Sequence, residues 1–178
     1  MGSQRRKPPP KDMILMSIEA LAFVAQVVLC ILFYNHLGLN WLLYLGWAIV
    51  LVAVVLGWRA RVAFQTKGET RAGESWLHTR TVVTGGLYAV LRHPMYLSFL
   101  LISLALVCLS QHWLNAVLGA ILMGLLYNDM GREEKNSIEK FGDDYRGYMQ
   151  QVPRMNFVVG AIRLFRRRRE NEGDRWSL

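Results

Sequence analysis

The residues best equipped for chemistry lie in two separate segments of a very apolar chain. The first joins a glycine pair at 85–86 to the run Arg-His-Pro-Met-Tyr at 92–96, and the second is the acidic pair at 133–134. A glycine turn before a helix start presents free backbone N–H groups, which bind carboxylates and other polar groups. A neutral imidazole can donate one hydrogen bond and accept another, and a carboxylate can bind a ribose hydroxyl or an ammonium group. The combination is suited to holding a polar cofactor.

Each of these features also has a structural interpretation. The glycine pair can be an ordinary turn. His93 can cap a helix, and Glu133 and Glu134 can offset the dipole of the helix that carries them. The residue types alone therefore leave both interpretations open.

The elements that must position these residues are membrane helices. A length of 178 residues favours one domain. The chain is 53% hydrophobic with a mean hydropathy of +0.20, yet it carries a net charge of +8, and its charges lie between long apolar runs. This arrangement is typical of membrane proteins and not of a soluble helical bundle.

The apolar runs predict an all-α, polytopic fold with about four transmembrane helices. The expected spans are 13–35, 41–64, 95–110 and 113–128. The first two are long enough to cross a bilayer, whereas the last two are short and form a hairpin that would need local thinning of the membrane.

The segments between and around the spans are polar. Residues 1–12 form a cytoplasmic lead-in, and residues 65–94 form a loop long enough to indicate a functional role. Residues 129–151 have helical periodicity and predict a helix at the membrane surface. Residues 13–157 therefore make a single membrane domain, followed by a basic tail at 158–178.

The distribution of basic residues predicts the orientation. Four Lys and Arg precede the first span, six lie between residues 59 and 92, and eleven follow residue 129, whereas the turns at 36–40 and 110–112 have none. The positive-inside rule then places both termini in the cytoplasm. The four histidines are scattered over both sides of the membrane, so the sequence predicts no metal site.

A few polar and sulfur-containing residues lie inside the spans. Glu19 and Gln26 are seven positions apart on one helical face and predict a polar contact between helices. Cys30 and Cys108 lie in separate apolar runs and are interpreted as small buried hydrophobes rather than a disulfide.

Three pieces of sequence around an apolar hairpin together resemble a known family. They are Thr-Val-Val-Thr-Gly-Gly-Leu-Tyr-Ala-Val-Leu-Arg-His-Pro-Met-Tyr at 81–96, Glu-Glu at 133–134, and Phe-Gly-Asp-Asp-Tyr-Arg-Gly-Tyr-Met-Gln-Gln-Val-Pro-Arg at 141–154. The segment 80–157 resembles the isoprenylcysteine carboxyl methyltransferases and their phospholipid methyltransferase relatives. The resemblance implies a bundle of membrane helices without a Rossmann domain. It also implies a cytoplasmic pocket for S-adenosyl-L-methionine, roofed by the C-terminal helix and releasing S-adenosyl-L-homocysteine.

The resemblance also implies roles for individual residues. A strip that lines the adenosine pocket matches Arg80, Thr81, Val82 and Val83. A cofactor-contacting aromatic matches Tyr88. The signature that holds the methionine part of the cofactor matches His93, Pro94, Met95 and Tyr96, and the acidic cofactor contact matches Glu133.

One departure concerns the substrate. Where prenylcysteine methyltransferases place an arginine for the substrate carboxylate, this chain has Asp129, with Arg132 on the same helical face as a substitute. Asp129 and Arg132 are the candidate catalytic residues. An aspartate repels a carboxylate and attracts an ammonium group. The substrate is therefore expected to be a membrane lipid or a lipid-like or prenylated molecule, methylated on a carboxyl oxygen or on an amino nitrogen.

Two alternatives stay open at this point. Membrane sterol reductases, which use NADPH, share an Arg-His-Pro-x-Tyr cluster, although they usually have Asn where this chain has Met95. A non-enzymatic membrane adaptor would explain the spans but not the clustering of motifs on one face. The basic run at 166–169 could bind nucleic acid, but beside membrane spans it indicates topology and contact with anionic lipid.

Overall fold

The computed structural model describes residues 10–67 and 82–175, and this part of the chain is helical without strands. A short 3-10 turn at Gly86–Ala89 accompanies six helices: α1 Pro10–Leu32, α2 Asn40–Lys67, α3 Pro94–Ser110, α4 Trp113–Phe141, α5 Asp143–Gln151 and α6 Phe157–Arg175. The predicted all-α fold is confirmed. Two of the predicted site residues, Arg80 and Thr81, lie outside the described residues.

Three described helices are long and apolar enough to cross a membrane. They comprise Met13–Leu32, Asn40–Ala63 and Trp113–Phe141, while α3 is a shorter apolar helix of 17 residues. At 1.5 Å per residue, α3 spans roughly 25 Å. Large apolar side chains on these helices point outward, and Leu21 and Ile31 are 70% and 72% exposed. Such an exterior is suited to lipid and not to water, so the chain is an integral membrane protein.

Helix α4 differs from the division expected between a span at 113–128 and a surface helix at 129–151. It runs without interruption to Phe141, and the chain then turns at Gly142 before α5 begins. No proline interrupts α4, whereas Gly142 has a φ of +59°, a left-handed conformation that ends helices. The acidic pair at 133–134 is therefore held rigidly on the continuation of a membrane helix.

The two short turns meet at one end of the bundle. The backbone N–H of Asn35 donates to the carbonyl of Leu109 at 2.8 Å, and the Gln111 side chain donates to the Asn35 amide oxygen at 2.8 Å. The rings of Phe33 and His112 stack with centroids 3.9 Å apart. These contacts join the α1–α2 and α3–α4 connections, so the C-terminal ends of α2 and α4 and the start of α3 lie at the opposite end.

Inside the bundle, α1, α3 and α4 meet at a polar contact. The fully buried Gln26 on α1 donates to the carbonyl of Ser103 on α3 at 3.0 Å. On α4, Gly119 approaches so closely that an added Cβ would lie 2.9 Å from the Gln26 side-chain nitrogen. The predicted inter-helix contact of Gln26 is thereby confirmed. Cys30 and Cys108 are both buried and free, as expected.

Candidate active site at the end of the bundle

A buried carboxylate organises the end of the bundle where α3 begins. Glu134 on α4 is only 4% exposed, and its Oε1 lies 3.0 Å from Arg92 Nη1 and 3.1 Å from His93 Nε2. Arg154, beyond α5, donates to the same oxygen through Nε at 3.0 Å and to Oε2 through Nη2. We call Arg92, His93, Glu134 and Arg154 the Glu134 cluster. It joins three segments that are distant in sequence.

Backbone hydrogen bonds hold two of these segments side by side. The N–H of Arg92 donates to the carbonyl of Pro153 at 3.1 Å, and the N–H of His93 donates to the carbonyl of Arg154 at 3.3 Å. The segment before α3 therefore pairs with the segment after α5 for two residues. This pairing satisfies backbone groups that a loop would otherwise leave buried without partners.

His93 is neutral in this environment. Its side chain is buried, and burial lowers the pKa of the imidazole despite the nearby carboxylates of Glu133 and Glu134. A carboxylate only accepts hydrogen bonds, so the neutral ring must donate its Nε2 proton to Glu134. Its Nδ1 is then left as an acceptor, 3.8 Å from Glu133 Oε2.

Two aromatic residues adjoin His93 and the 3-10 turn. The Tyr96 ring packs edge-to-face on His93 with centroids 5.6 Å apart, and its side chain hydrogen-bonds to Glu133. Tyr88 is 6% exposed, and its carbonyl accepts a hydrogen bond of 2.7 Å from the Tyr148 hydroxyl. Burial, followed by the charge of Glu133, raises the pKa of Tyr88, so its hydroxyl stays protonated.

An apolar cluster supports this arrangement from the side of α5. Tyr145, Tyr148 and Val152 form its buried centre, and four partly buried side chains pack against them: Val82, Ile138, Phe141 and Met149. The periodic face predicted from residue 138 to residue 148 therefore packs together. Burial and then Glu133 raise the pKa of Tyr145 to about 12. Val82 belongs to this cluster, and Val83 beside it is 7% exposed.

The two candidate catalytic residues form a pair of their own. Asp129 and Arg132, one helical turn apart on α4, are joined by an ion pair. The guanidinium of Arg132 also interacts electrostatically with Glu19 on α1, a carboxylate with one buried oxygen that has no hydrogen-bond partner among the described residues. In the part of the chain that the structure describes, Arg132 thus faces two carboxylates, those of Asp129 and Glu19, and Glu133 is the next residue along α4.

The predicted site residues fall into distinct groups in the structure. The strongly buried ones are Val83, Tyr88, His93 and Pro94, and the more accessible ones are Val82, Met95, Tyr96 and Glu133. His93, Tyr96 and Glu133 come together, and Tyr88 is electrostatically coupled to Glu133. Asp129 and Arg132 lie on the same helix as Glu133.

The sequence indicates no individual role for three members of the Glu134 cluster. Glu134 belongs there only to the acidic pair at 133–134, and Arg92 and Arg154 only to longer motifs. Helical periodicity carried a signal for Glu134, because it shares the buried face of α4 with Met130, four residues earlier. No comparable signal exists for Arg154, whose partner lies on another helix.

Two open cavities of about 490 Å³ adjoin this end of the bundle. One lies between α2 and the 3-10 turn and is lined by Trp58, Arg59, Val62, Ala63, Gly86 and Leu87. The other lies beside α4 and combines apolar with basic walls: Leu15, Leu125, Tyr127, Asn128, Gly131, Arg132, Lys135 and Arg154. The second cavity reaches from the apolar Leu15 and Leu125 to Arg132 and Arg154, while Asp129, His93 and Glu133 are not among its lining residues.

A bundle of apolar helices with a buried, charge-paired cluster at one end defines a polytopic membrane protein with a site at the membrane surface. The sequence profile of the phospholipid methyltransferase family matches residues 41–144, more than half of the chain. The chain belongs to this family of membrane methyltransferases.

Individual relatives are more distant. The chain is 28% identical to a protein-S-isoprenylcysteine O-methyltransferase of Schizosaccharomyces pombe, over 47% of this chain and 39% of the relative. It is 32% identical to a methanethiol S-methyltransferase of Pseudomonas deceptionensis, over 64% of this chain and 43% of the relative. A protein-S-isoprenylcysteine O-methyltransferase of Mus musculus is 32% identical over 47% of this chain and 30% of the relative. The matched stretch spans less than half of each relative, and no solved structure matches the chain.

Replacing the central carboxylate should destabilise the protein. Glu134→Gln keeps the size of the side chain but leaves Arg92 and Arg154 without their counter-charge, so we expect a loss of roughly 2–3 kcal/mol in unfolding free energy. Thermal unfolding of the detergent-solubilised protein measures this. Glu139→Gln, an exposed charge loss on the same helix, is the matched control. Equal unfolding temperatures for the two variants would contradict the structural role of Glu134.

Stability should also depend on pH through His93. Burial lowers the pKa of the folded imidazole, whereas the unfolded imidazole titrates near 6.5. Below that pH the unfolded chain binds a proton that the folded chain lacks. The contribution of His93 to the unfolding free energy is therefore fully present above about pH 6.5 and declines as the pH falls. His93→Gln, which retains a donor for Glu134, should reduce this decline in unfolding temperature between about pH 7.5 and 5.5. An identical pH profile in the variant would refute the neutral, buried state of His93.

Proposed function

We propose that the chain is an S-adenosyl-L-methionine-dependent methyltransferase that acts on an amino group of a membrane lipid or lipid-like molecule. Membership of the phospholipid methyltransferase family supports methyl transfer. The observation that carries the proposal is the Glu134 cluster, which holds a neutral His93 beside the partly exposed carboxylate of Glu133. This is an arrangement for binding a small polar molecule at a membrane surface.

The charges present fit the amino-acid end of this cofactor. Arg92 Nε is buried and has no hydrogen-bond partner among the described residues, so it offers a donor to a carboxylate. His93 Nδ1 is an acceptor, and Glu133 Oε2 lies 3.8 Å from it, so together they suit an ammonium group. An ammonium placed between them would also relieve the repulsion between two acceptors. When bound, the cofactor supplies an electrophilic methyl group on a sulfonium.

The remaining cofactor contacts belong to the same proposal. We assign the adenosine, as the family resemblance implies, to Val82, which packs beside Tyr145 and Tyr148, and to the buried Val83 and Tyr88. Pro94 begins α3 directly after His93, which places the helix N-terminus and its free N–H groups at the site. Arg80 and Thr81 complete the proposed strip, and Met95 and Tyr96 complete the signature.

The charge balance around Asp129 favours an amine over a carboxylate substrate. Arg132, the residue available to bind a substrate carboxylate, is already paired with Asp129 and faces the charge of Glu19. The carboxylates of Asp129 and Glu19 repel a substrate carboxylate at this point and attract an ammonium group. Asp129 is then placed to orient the amine and to accept its proton, which an amine must lose before it can attack a methyl group.

The cavity beside α4 fits the rest of such a substrate. Its wall combines Leu15 and Leu125 with Lys135 and Arg154, so an apolar chain and an anionic phosphate can be accommodated together. The cavity is open and lies at the end of the membrane helices, so a lipid can enter sideways from the bilayer. Closure around the reacting groups would exclude water and align nucleophile and methyl donor.

The orientation of the chain is part of the proposal. Basic residues concentrate at the end of the bundle that carries the Glu134 cluster, and the turns at the other end contain none. We place this end, together with both termini, in the cytoplasm, where the soluble cofactor is available.

Cofactor binding tests the proposal directly. The purified chain should bind S-adenosyl-L-homocysteine in isothermal titration and show no comparable heat with NADPH. Glu133→Gln and His93→Ala should each weaken binding about tenfold or more, since each removes a contact to the ammonium group. Glu139→Gln, with the same charge loss as Glu133→Gln, should bind like the wild type. Binding of NADPH instead would identify a reductase, and unchanged affinity in both site variants would remove the proposed pocket.

Substrate choice tests the role of Asp129. In mixed micelles with methyl-labelled cofactor, we expect methyl transfer to phosphatidylethanolamine and little to a farnesylcysteine. Asp129→Asn should lower turnover by about tenfold or more, because the amide cannot accept the proton, and should leave S-adenosyl-L-homocysteine affinity unchanged. Transfer to the prenylcysteine alone, or full turnover in Asp129→Asn, would exclude the amine mechanism.

A further inference from the structure

Helix α6 carries two faces of different character, and among the described residues the contacts to the rest of the chain lie on one of them. The contacting face includes Gly160, where an added Cβ would lie 2.0 Å from the carbonyl oxygen of Val90. It also includes Arg167, which donates to the carbonyl of Ala89 at 3.1 Å, and Arg163, which donates to the carbonyl of Gln150 at 3.2 Å. This face docks α6 onto the backbone that follows Tyr88.

The other face of α6 is apolar and exposed. The exposed fractions are 53% for Phe157, 65% for Val158, 61% for Ile162 and 66% for Phe165. At about 100° per residue these four side chains, which we call the α6 stripe, occupy an arc of about 140°, roughly opposite the docked residues. A stripe of this size on a helix outside the spans is not explained by packing within the described chain.

We propose that the α6 stripe inserts into the headgroup boundary of the membrane that the other helices cross, and that anionic lipids hold it there. The exposed Arg166 borders the stripe and the exposed Arg169 continues it one turn beyond Phe165, where long basic side chains can reach lipid phosphates while the apolar side chains enter the acyl boundary. Apolar and cationic groups on adjoining faces are complementary to an anionic leaflet. Water and nucleic acid surfaces are polar, so neither is complementary to the apolar side chains of the α6 stripe.

The position of α6 gives this contact a consequence for the site. Its docked face holds the carbonyls of Ala89 and Val90, which lie between Tyr88 and Arg92 in sequence. A membrane-bound α6 therefore restrains the segment that leads into the Glu134 cluster. The composition of the leaflet, through the charge of its lipids, then regulates how well this segment is ordered.

A depth measurement tests the membrane contact without using enzymatic activity. A fluorescent probe is attached at Ile162→Cys, or at the exposed Asp143→Cys as the control site, with Cys30 and Cys108 replaced by alanine. The full chain is reconstituted in phosphatidylcholine vesicles with or without about one-third phosphatidylglycerol. Nitroxide lipids should quench the probe at 162 in anionic vesicles, and quenching should be at least about twofold weaker in R166Q/R169Q. The double variant K140Q/R146Q removes the same charge elsewhere and should behave like the wild type.

Absence of quenching at 162 in both lipid compositions would overturn the proposal. Cross-linking between copies through Ile162→Cys, without quenching, would do the same and identify a second copy of the chain as the occupant. The coupling to the site is read by hydrogen exchange of the peptide at 84–92, which should slow in anionic vesicles for the wild type but not for R166Q/R169Q. Equal exchange of this peptide in the wild type and in R166Q/R169Q in anionic vesicles would overturn the proposed regulation by lipid charge. None of these outcomes depends on whether the chain transfers a methyl group.

Discussion

A buried carboxylate must be neutralised, and the end of this bundle is organised around that requirement. Glu134 is almost inaccessible, and an isolated ionised carboxylate in such a place would cost more free energy than a membrane helix can supply. Arg92, His93 and Arg154 surround it and are in turn held by it. The two backbone hydrogen bonds between the segments before α3 and after α5 complete the arrangement. The segment before α3, helix α4 and the segment after α5 thus depend on one another for their positions.

The membrane helices supply the frame that makes this possible. Their outward surfaces are apolar, and the short turns at the far end are joined by hydrogen bonds and stacked rings. The polar and ionisable groups capable of chemistry are thereby gathered at the other end. There α4 continues beyond the span as one uninterrupted helix. Its charged residues therefore occupy defined faces of that helix: Asp129, Arg132, Glu133 and Glu134. Glu134 points into the cluster, while Glu133 stays accessible beside His93.

The two adjacent carboxylates have different environments, since Glu134 is buried and paired whereas Glu133 is exposed. Glu134 stabilises the fold of the site, and Glu133 remains available to a ligand because it is rotated by about 100° around the helix axis. Asp129 and Arg132 form a second polar centre with Glu19. The carboxylates of Asp129 and Glu19 around Arg132 are the basis for proposing an amine substrate.

The sequence alone determined the helical membrane fold, the two turns, the inter-helix contact of Gln26 and the family. These features depend on local composition, on periodicity and on contiguous motifs. It also indicated the segments at 92–96 and 133–134. Helical periodicity gave a signal that Glu134 shares a face with Met130, but the sequence did not determine that α4 continues to Phe141 or that Arg154 belongs to the site. Those features depend on the rotation of α4 about its axis and on the return of the chain after α5. Only the packing between distant segments decides these features, because local sequence does not specify which distant residues come into contact.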